Sequence, residues 1–251
     1  MLLTTPQLRQ LIPSRAFQFF HRIDSTQNYA LQWLRDGAPS GAVVIADEQV
    51  MGRGRHGRTW HTPPGVALAL SIILRPTIDA LPHVTMLGAL AIAETLDGLG
   101  ATDVGIKWPN DVHLNSKKVS GVLPEAVWEG DQLRGVVLGI GINVRVDFTD
   151  TELERSAISI EPALGIRIDR ADLLVALLAR IDAWAMKLGT IELYNGWKSR
   201  LNVLGQPMTM MDVNGLVKGT AEDIDPQGAL LVRAADGTVH RVIAGDVALG
   251  E

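Results

Sequence analysis

Gly52-Arg53-Gly54-Arg55-His56-Gly57-Arg58-Thr59-Trp60, with Pro63-Pro64-Gly65 behind it and then an apolar run over 66–74, is the stretch that decides the fold. Gly52, Gly54 and Gly57 satisfy the Gly-x-Gly-x-x-Gly spacing of a dinucleotide-binding turn. That turn works only where a helix follows at once and offers its N-terminus to a pyrophosphate. Here a proline pair and a strand follow. Asp79 stands after Arg75-Pro76 rather than at the end of a second strand. A doubly wound dinucleotide fold is rejected. With no Gly-x-x-x-x-Gly-Lys-Ser/Thr run, so is a P-loop. What remains is a loop rich in glycine, which lets backbone amides approach a ligand, and in arginine, whose planar fork suits phosphate and carboxylate oxygens. On composition alone, a solvated basic surface loop fits this run better than an anion clamp does.

Around this loop the chain alternates apolar runs and helical periodicities. Asp24-Ser25-Thr26 opens a helix with Ala30, Trp33 and Leu34 on one face and Gly37 as its stop. Residues 42–46 and 66–74 suit buried strands. Residues 87–96 form an alanine-rich buried helix. Strands are predicted over 104–107, 112–114, 119–127 and 133–144, the last two joined by the hairpin signal Glu129-Gly130-Asp131. Leu173, Leu174, Leu177, Ile181, Trp184 and Leu188 recur at helical spacing, which predicts a helix over 170–188. Another helix is expected over 193–201. From about Gly205 the character changes. Val213-Asn214-Gly215, Asp225-Pro226-Gln227-Gly228 and Ala235-Asp236-Gly237 are turn signals that separate about five short strands, the pattern of a small SH3-like barrel. The residues therefore predict an α/β catalytic domain over 1–202 and a β-barrel over 203–251.

The chain has 251 residues, 47% hydrophobic and 20% charged, the balance of an ordinary globular protein. A net charge of −5 argues against a general nucleic-acid binder, so any anion site must be a local island of positive charge. The absence of cysteine excludes disulfides, thiolate metal sites and cysteine nucleophiles. The six histidines show no His-x-x-x-His spacing, and no resident metal site is expected. Residues 1–20 lack the charged head and apolar core of a signal peptide, and the apolar runs are too short to span a bilayer. The expected location is the cytoplasm, with no membrane partner.

A second motif, Lys107-Trp108-Pro109-Asn110-Asp111, follows about 50 residues after the first. Proline restricts the residue before it, so a strand end that holds Lys107 in one orientation is expected. Lysine is a compact charge able to neutralise a phosphate under attack. Asn110 and Asp111 offer acceptors to a magnesium ion, its waters or a ribose. A plain β-turn with Trp108 in the core fits the same five residues.

The two motifs in this order resemble those of the biotin–protein ligases, and the likeness runs through nearly the whole chain. Asp24-Ser25-Thr26-Gln27-Asn28 resembles that family's Ser-Thr-Asn or Ser-Thr-Gln helix start. Lys117-Lys118-Val119-Ser120-Gly121-Val122-Leu123-Pro124-Glu125 is similar to its Lys-x-x-Gly-Ile-Leu-x-Glu strand. Gly139-Ile140-Gly141-Ile142-Asn143-Val144 is similar to its Gly-x-Gly-x-Asn segment, and Ala244-Gly245-Asp246-Val247 to the last strand of its C-terminal barrel. The resemblance implies an α+β fold: a class II synthetase-like mixed β-sheet with packed helices, plus the SH3-like barrel. It also implies a reaction. The carboxylate of biotin attacks the α-phosphate of ATP, supplied with Mg2+, to give biotinyl-5'-AMP and pyrophosphate. A lysine of a biotin carboxyl carrier domain then attacks the mixed anhydride.

By the same resemblance, Lys107 and Arg55 are catalytic. Ser25, Thr26, Gln27, Gln49, Arg53, Gly54 and Gly121 join them in holding biotin. Gly52, Arg53, Arg55, Arg58, Trp60, Asn110, Asp111, Lys118 and Asn143 serve ATP and the adenylate. Trp60 is expected near adenine and Arg58 near the leaving pyrophosphate. Joining two anions is largely an electrostatic problem, which suits preplaced cations. Met51, His56 and Pro124 depart from the usual pattern, and Pro124 needs a bulge or a sheet edge. About 23 residues precede Asp24, too few for the winged helix of bifunctional members, so no DNA partner and no repressor role are expected. The carrier domain is expected to be recognised by sheet edge and loop rather than by net charge. A homodimer through an exposed sheet is the other use of such a surface.

Two enzyme relatives fit less well. A lipoate-type ligase would carry an Arg-Arg-x-x-Gly-Gly-Gly loop, and an octanoyl transferase a cysteine; neither is present. A non-catalytic biotin or nucleotide sensor is the alternative of another class. Ordering nine loop residues costs roughly 1–2 kcal/mol each, so residues 52–60 are expected to be open without ligand and to close on it.

Overall fold

The computed structural model describes residues 3–212, 215–243 and 248–249. Val213 and Asn214 of the first expected turn, and Ala244-Gly245-Asp246-Val247 of the expected last strand, lie outside the described residues. In chain order the elements are α1 (Thr5–Leu11), β1 (Phe17–Ile23), α2 (Thr26–Arg35), β2 (Val43–Gln49), β3 (Ala67–Leu74), α3 (His83–Gly98), β4 (Val104–Lys107), β5 (Asp111–Leu114), β6 (Lys117–Glu129) and β7 (Gln132–Asn143). There follow α4 (Ile160–Leu164), α5 (Arg170–Ala185), α6 (Ile191–Lys198), β8 (Pro207–Asp212), β9 (Gly215–Ile224), β10 (Leu230–Arg233), β11 (Val239–Val242) and β12 (Ala248–Leu249).

The first sheet has seven strands in the order β1-β2-β3-β7-β6-β5-β4. Only β1 and β2 run parallel; every other pair is antiparallel. The sheet is mixed, as the α+β expectation requires. Side chains alternate across a strand, and the two core clusters divide accordingly. Val43, Ile45, Ile72 and Leu138 face α3 and α5, whereas Val44, Ile73 and Val137 face Ala30 and Leu34 of α2. Strand β3 is buried along its whole length, and its sequence is apolar on both faces except at Ser71 rather than alternating.

Pro124 sits on a free edge, one of the two settings its sequence required. Val122 turns its N–H to the Asn110 carbonyl. Pro124, two residues on, faces the same side, beyond the last β5 partner at Gly121. It therefore removes no ladder bond.

The second sheet is antiparallel, in the order β11-β10-β9-β8-β12. Two helix ends differ from expectation. Helix α5 ends at Ala185, because Lys187 and Leu188 bond three residues back into a tight turn. Helix α6 ends at Lys198, because Arg200 and Asn202 bond the backbone of Ile106 and extend the first sheet beyond β4. Helices α1 and α4 and strand β1 are not among the expected elements.

Candidate active site

The Arg-Gly stretch is an irregular hairpin, not a free loop. Arg53 bridges Thr59 and Gln49 bridges Thr62, both antiparallel. Gly54 N–H donates to Arg58 O at 2.8 Å, and Trp60 N–H to Gly52 O at 2.8 Å. A short 3-10 turn over Arg55–Gly57 forms the tip, where His56 takes a left-handed φ of 55° and is exposed. No helix follows, in line with the rejection of a dinucleotide turn. Two arginines pin this hairpin over the sheet. Arg53 donates to Asn28 Oδ1 (3.0 Å) and Glu125 Oε1 (2.7 Å), and Arg55 to Asn110 Oδ1 (2.9 Å).

Beneath the hairpin lies a cavity of about 580 Å³, the size of an ordinary small-molecule site. Of the predicted site residues, Ser25, Thr26, Gln27, Gln49, Arg53, Gly54, Arg55, Arg58 and Trp60 line it. Lys107, Asn110, Asp111, Lys118, Gly121 and Asn143 complete that set. Gly52 does not line it. Its α-carbon is pressed against the Trp60 carbonyl, which a Cβ would approach to 2.2 Å, so Gly52 serves closure of the hairpin.

Among the described residues lining the cavity are six cations, Arg53, Arg55, Arg58, Lys107, Lys118 and Arg155, against one carboxylate, Asp111. In a chain of net charge −5 this is the local positive island the composition demanded. Asp111 Oδ1 holds Lys118 Nζ at 2.7 Å, and that ammonium also lies 5.6 Å from the Trp60 ring centre. His113 is held below the usual histidine range by burial, with Asp111 opposing and Lys107 and Lys118 adding to the effect. A neutral imidazole there leaves the cationic set unchanged at neutral pH.

A polar cluster forms where α2 begins. Ser25 is the N-cap, but its side chain makes no capping bond; its Oγ is buried and without a partner among the described residues. Gln49 Oε1 caps the helix instead, accepting from Thr26 N (2.8 Å) and Oγ1 (3.0 Å), while its Nε2 donates to Thr62. Buried polar groups are normally paired, yet the Ser25 hydroxyl on the cavity wall has no partner among the described residues, and the Trp60 Nε1–H, also unpartnered, is pressed against Gly141 of β7.

Three predicted contacts are committed inside the fold. Gln27 Nε2 donates to the carbonyls of Leu123 and Val137, and its Oε1 accepts from Ser71. Asn110 accepts from Arg55 and donates to Val122 O. Asn143 Nδ2 donates to the carbonyls of Lys118 and Ile158. Sequence reasoning missed Ser71, His113 and the segment 148–157, whose Phe148, Leu153 and Arg155 cover one side of the cavity. That segment has neither periodicity nor motif. Ser71 carried no signal except a lone hydroxyl inside an apolar strand.

A seven-stranded mixed sheet, a cation-lined cavity under an arginine hairpin and an appended antiparallel sheet define an α+β protein built to hold an anionic small molecule. The chain matches the biotin/lipoate A/B protein ligase family over residues 19–143 and the biotin protein ligase C-terminal domain over 203–250. It is 36% identical to the bifunctional ligase/repressor BirA of Bacillus subtilis, covering 91% of this chain and 72% of that protein. It is 35% identical to the biotin–[acetyl-CoA-carboxylase] ligase of Paracoccus denitrificans, covering 86% and 93%. Among solved structures, the biotin protein ligase of Aquifex aeolicus in complex with biotin and ATP superposes with a TM-score of 0.79 at 28% identity, covering 94% and 98%. The chain belongs to the biotin/lipoate A/B protein ligase family.

Proposed function

We propose that this protein is an ATP-dependent biotin–protein ligase. The observation that carries the reading is the cluster of six cations around one cavity in an acidic chain. Joining a carboxylate to a triphosphate needs that field, because both reactants and the developing phosphorane are anionic. In the first step a biotin carboxylate oxygen bonds the α-phosphorus of magnesium ATP while the bond to the β-phosphate oxygen breaks, releasing pyrophosphate. In the second, an acceptor lysine amine attacks the anhydride carbonyl, AMP departs with the bonding pair, and the amine loses its proton.

Lys107 and Arg55 stabilise the charge that grows in both steps. Ser25, Thr26 and Gln49 bond the biotin head. Gln27, wholly used within the fold, shapes that end, and Gly121 leaves room for Lys118. Arg53 and Gly54 enclose biotin. Arg58 faces pyrophosphate, and Trp60, Lys118 and Asn143 border the adenosine. Asn110 acts by holding Arg55, and Asp111 by holding Lys118. The acceptor is the biotin carrier domain of a carboxylase, docked at sheet edge and loop. The catalytic domain spans 1–202 and the C-terminal module 203–251. No helix among the described residues is long and apolar enough to cross a membrane, and the proposed location is the cytoplasm.

The test is biotin-dependent exchange of pyrophosphate into ATP. Lys107→Ala is expected to lower it far more than tenfold, about 1.4 kcal/mol of barrier, with the fold intact by circular dichroism. A smaller loss removes Lys107 from the chemistry. Exchange driven by lipoate but not biotin overturns the substrate.

A further inference from the structure

Lys107 ends a strand that is gripped from both sides. On one side Lys107 pairs with Asp111 of β5. On the other, Ile106 N–H donates to Arg200 O at 2.7 Å and Asn202 N–H to Ile106 O at 3.1 Å, so the chain entering the C-terminal sheet forms an extra edge to β4. The next residue, Trp108, is 2% exposed, and its Nε1–H donates to Gly228 O at 2.9 Å. That bond joins the residue after Lys107 to the β9–β10 turn of the second sheet.

The turn itself is built to hold that carbonyl still. Asp225 N–H donates to Ala229 O and Gly228 N–H to Asp225 O, each at 2.9 Å. Asp225 Oδ1 accepts from Gln227 N and Ala229 N. Arg241 grips the turn from β11, its Nε on Asp225 Oδ2 and its Nη2 on Gln227 Oε1. His83 at the start of α3 bonds Pro226 O at 2.9 Å, and Tyr194 of α6 donates to Ile224 O at 2.6 Å. Gly228 takes a φ of +84°, a region that disfavours residues with a Cβ. A Cβ there would meet Met86 Cε at 2.7 Å.

We infer that Trp108 is a positioning residue through which the C-terminal sheet fixes Lys107: the Gly228 carbonyl holds the indole, and the indole sets the end of β4. Lys107 stands on a strand of only four residues. Without the outside brace its ammonium swings, and a misplacement of about 1 Å can cost on the order of a hundredfold in rate. The second sheet thus contributes to adenylate formation although none of its described residues lines the cavity.

The inference rests on the ligase reading, and the test separates the two. In the full chain, Trp108→Phe keeps an aromatic ring and removes the N–H. Gly228→Ala acts on the same bond from the other partner. Each is expected to lower kcat for biotin-dependent pyrophosphate exchange about tenfold while KM for biotin stays within about twofold. The double variant is expected to lose no more than the worse single, because one bond is broken either way. Reaction of Lys107 with an amine-acylating reagent, followed by mass spectrometry against exposed Lys187, is expected to change at least threefold in both variants. That readout needs no catalysis. If the wild-type chain shows no exchange but Lys107 reactivity still shifts, the ligase reading falls and the brace stands. Unchanged reactivity, additive kcat losses, or losses that merely follow the unfolded fraction overturn the brace.

Discussion

Trp60 packs against β7 so tightly that a Cβ on Gly141 would stand 2.2 Å from its Cε2. No rotation of an alanine relieves that overlap, so the indole must leave, and with it the face that Lys118 sits over. Gly141→Ala is expected to raise KM for ATP in the exchange assay about tenfold, since overpacking a close contact typically costs about 1–3 kcal/mol. A KM within twofold of wild type removes Trp60 from the nucleotide site. The arginine hairpin is governed by single residues too. Arg53 is held by Glu125 and Asn28, and Glu125 Oε2 is buried with no partner among the described residues. Glu125→Ala is expected to speed proteolysis after Arg53, Arg55 and Arg58 several-fold without ligand and to restore protection when biotin and ATP are added. Equal cleavage in variant and wild type rules out the latch. Lys107, Arg55 and the other cations were legible in the sequence, because arginine and lysine beside glycine and proline announce anion chemistry. What Gln27 and Asn110 do was not. Their partners include carbonyls of β6 and β7 and an arginine 55 residues away, and nothing in a sequence says which carbonyl a buried amide will meet.

Among the elements, the strands and long helices follow from periodicity, and the unforeseen ones from tertiary ties. Strand β1 is half exposed and carries His21 and Arg22, so its pattern never separated from a loop. The segment between β7 and α5 had no period at all, yet it covers the cavity through Phe148 and Leu153. Its anchor is Glu161 in α4, a buried carboxylate that accepts from Arg145 (2.6 Å), Arg167 (3.0 Å) and Ile168 N (2.9 Å). Arg145 above all holds this carboxyl down at about 2, against an ordinary value of 4.5. A depressed carboxylate stabilises the fold fully above its unfolded pKa. That contribution is lost as pH falls from about 4.5 through about 2, and it amounts to at most about 3 kcal/mol. Urea unfolding of wild type and Glu161→Gln is therefore expected to differ most near pH 7 and to converge as pH approaches 2. A difference that stays constant with pH would mean the glutamate acts by packing alone.

Over the whole molecule, the second sheet is not a separate body loosely tethered to the first. Met208, Val217, Ile224, Leu230 and Val232 belong to the same contiguous buried cluster as Trp108, Met86 and Trp197. Polar bonds from Tyr194 to Ile224, His83 to Pro226, Lys198 to Asp223 and Trp108 to Gly228 cross the same boundary. The change of character near Gly205 was plain in the sequence, because turn signals are local. The shared core was not, because which apolar face meets which is decided between distant segments. Small independent modules melt separately, whereas elements that share a core melt together. Scanning calorimetry is expected to give one transition whose calorimetric and van't Hoff enthalpies agree. Biotin with ATP, each at about a hundred times its dissociation constant, would stabilise the folded state by about 2.7 kcal/mol per ligand. If the sheets form one unit, that gain moves the single transition as a whole, although the described residues that line the cavity all fall between Ser25 and Ala157. Two transitions, with only one responding to ligand, would mean that the C-terminal sheet folds on its own and that its contacts with β4, α3 and α6 carry no cooperative energy.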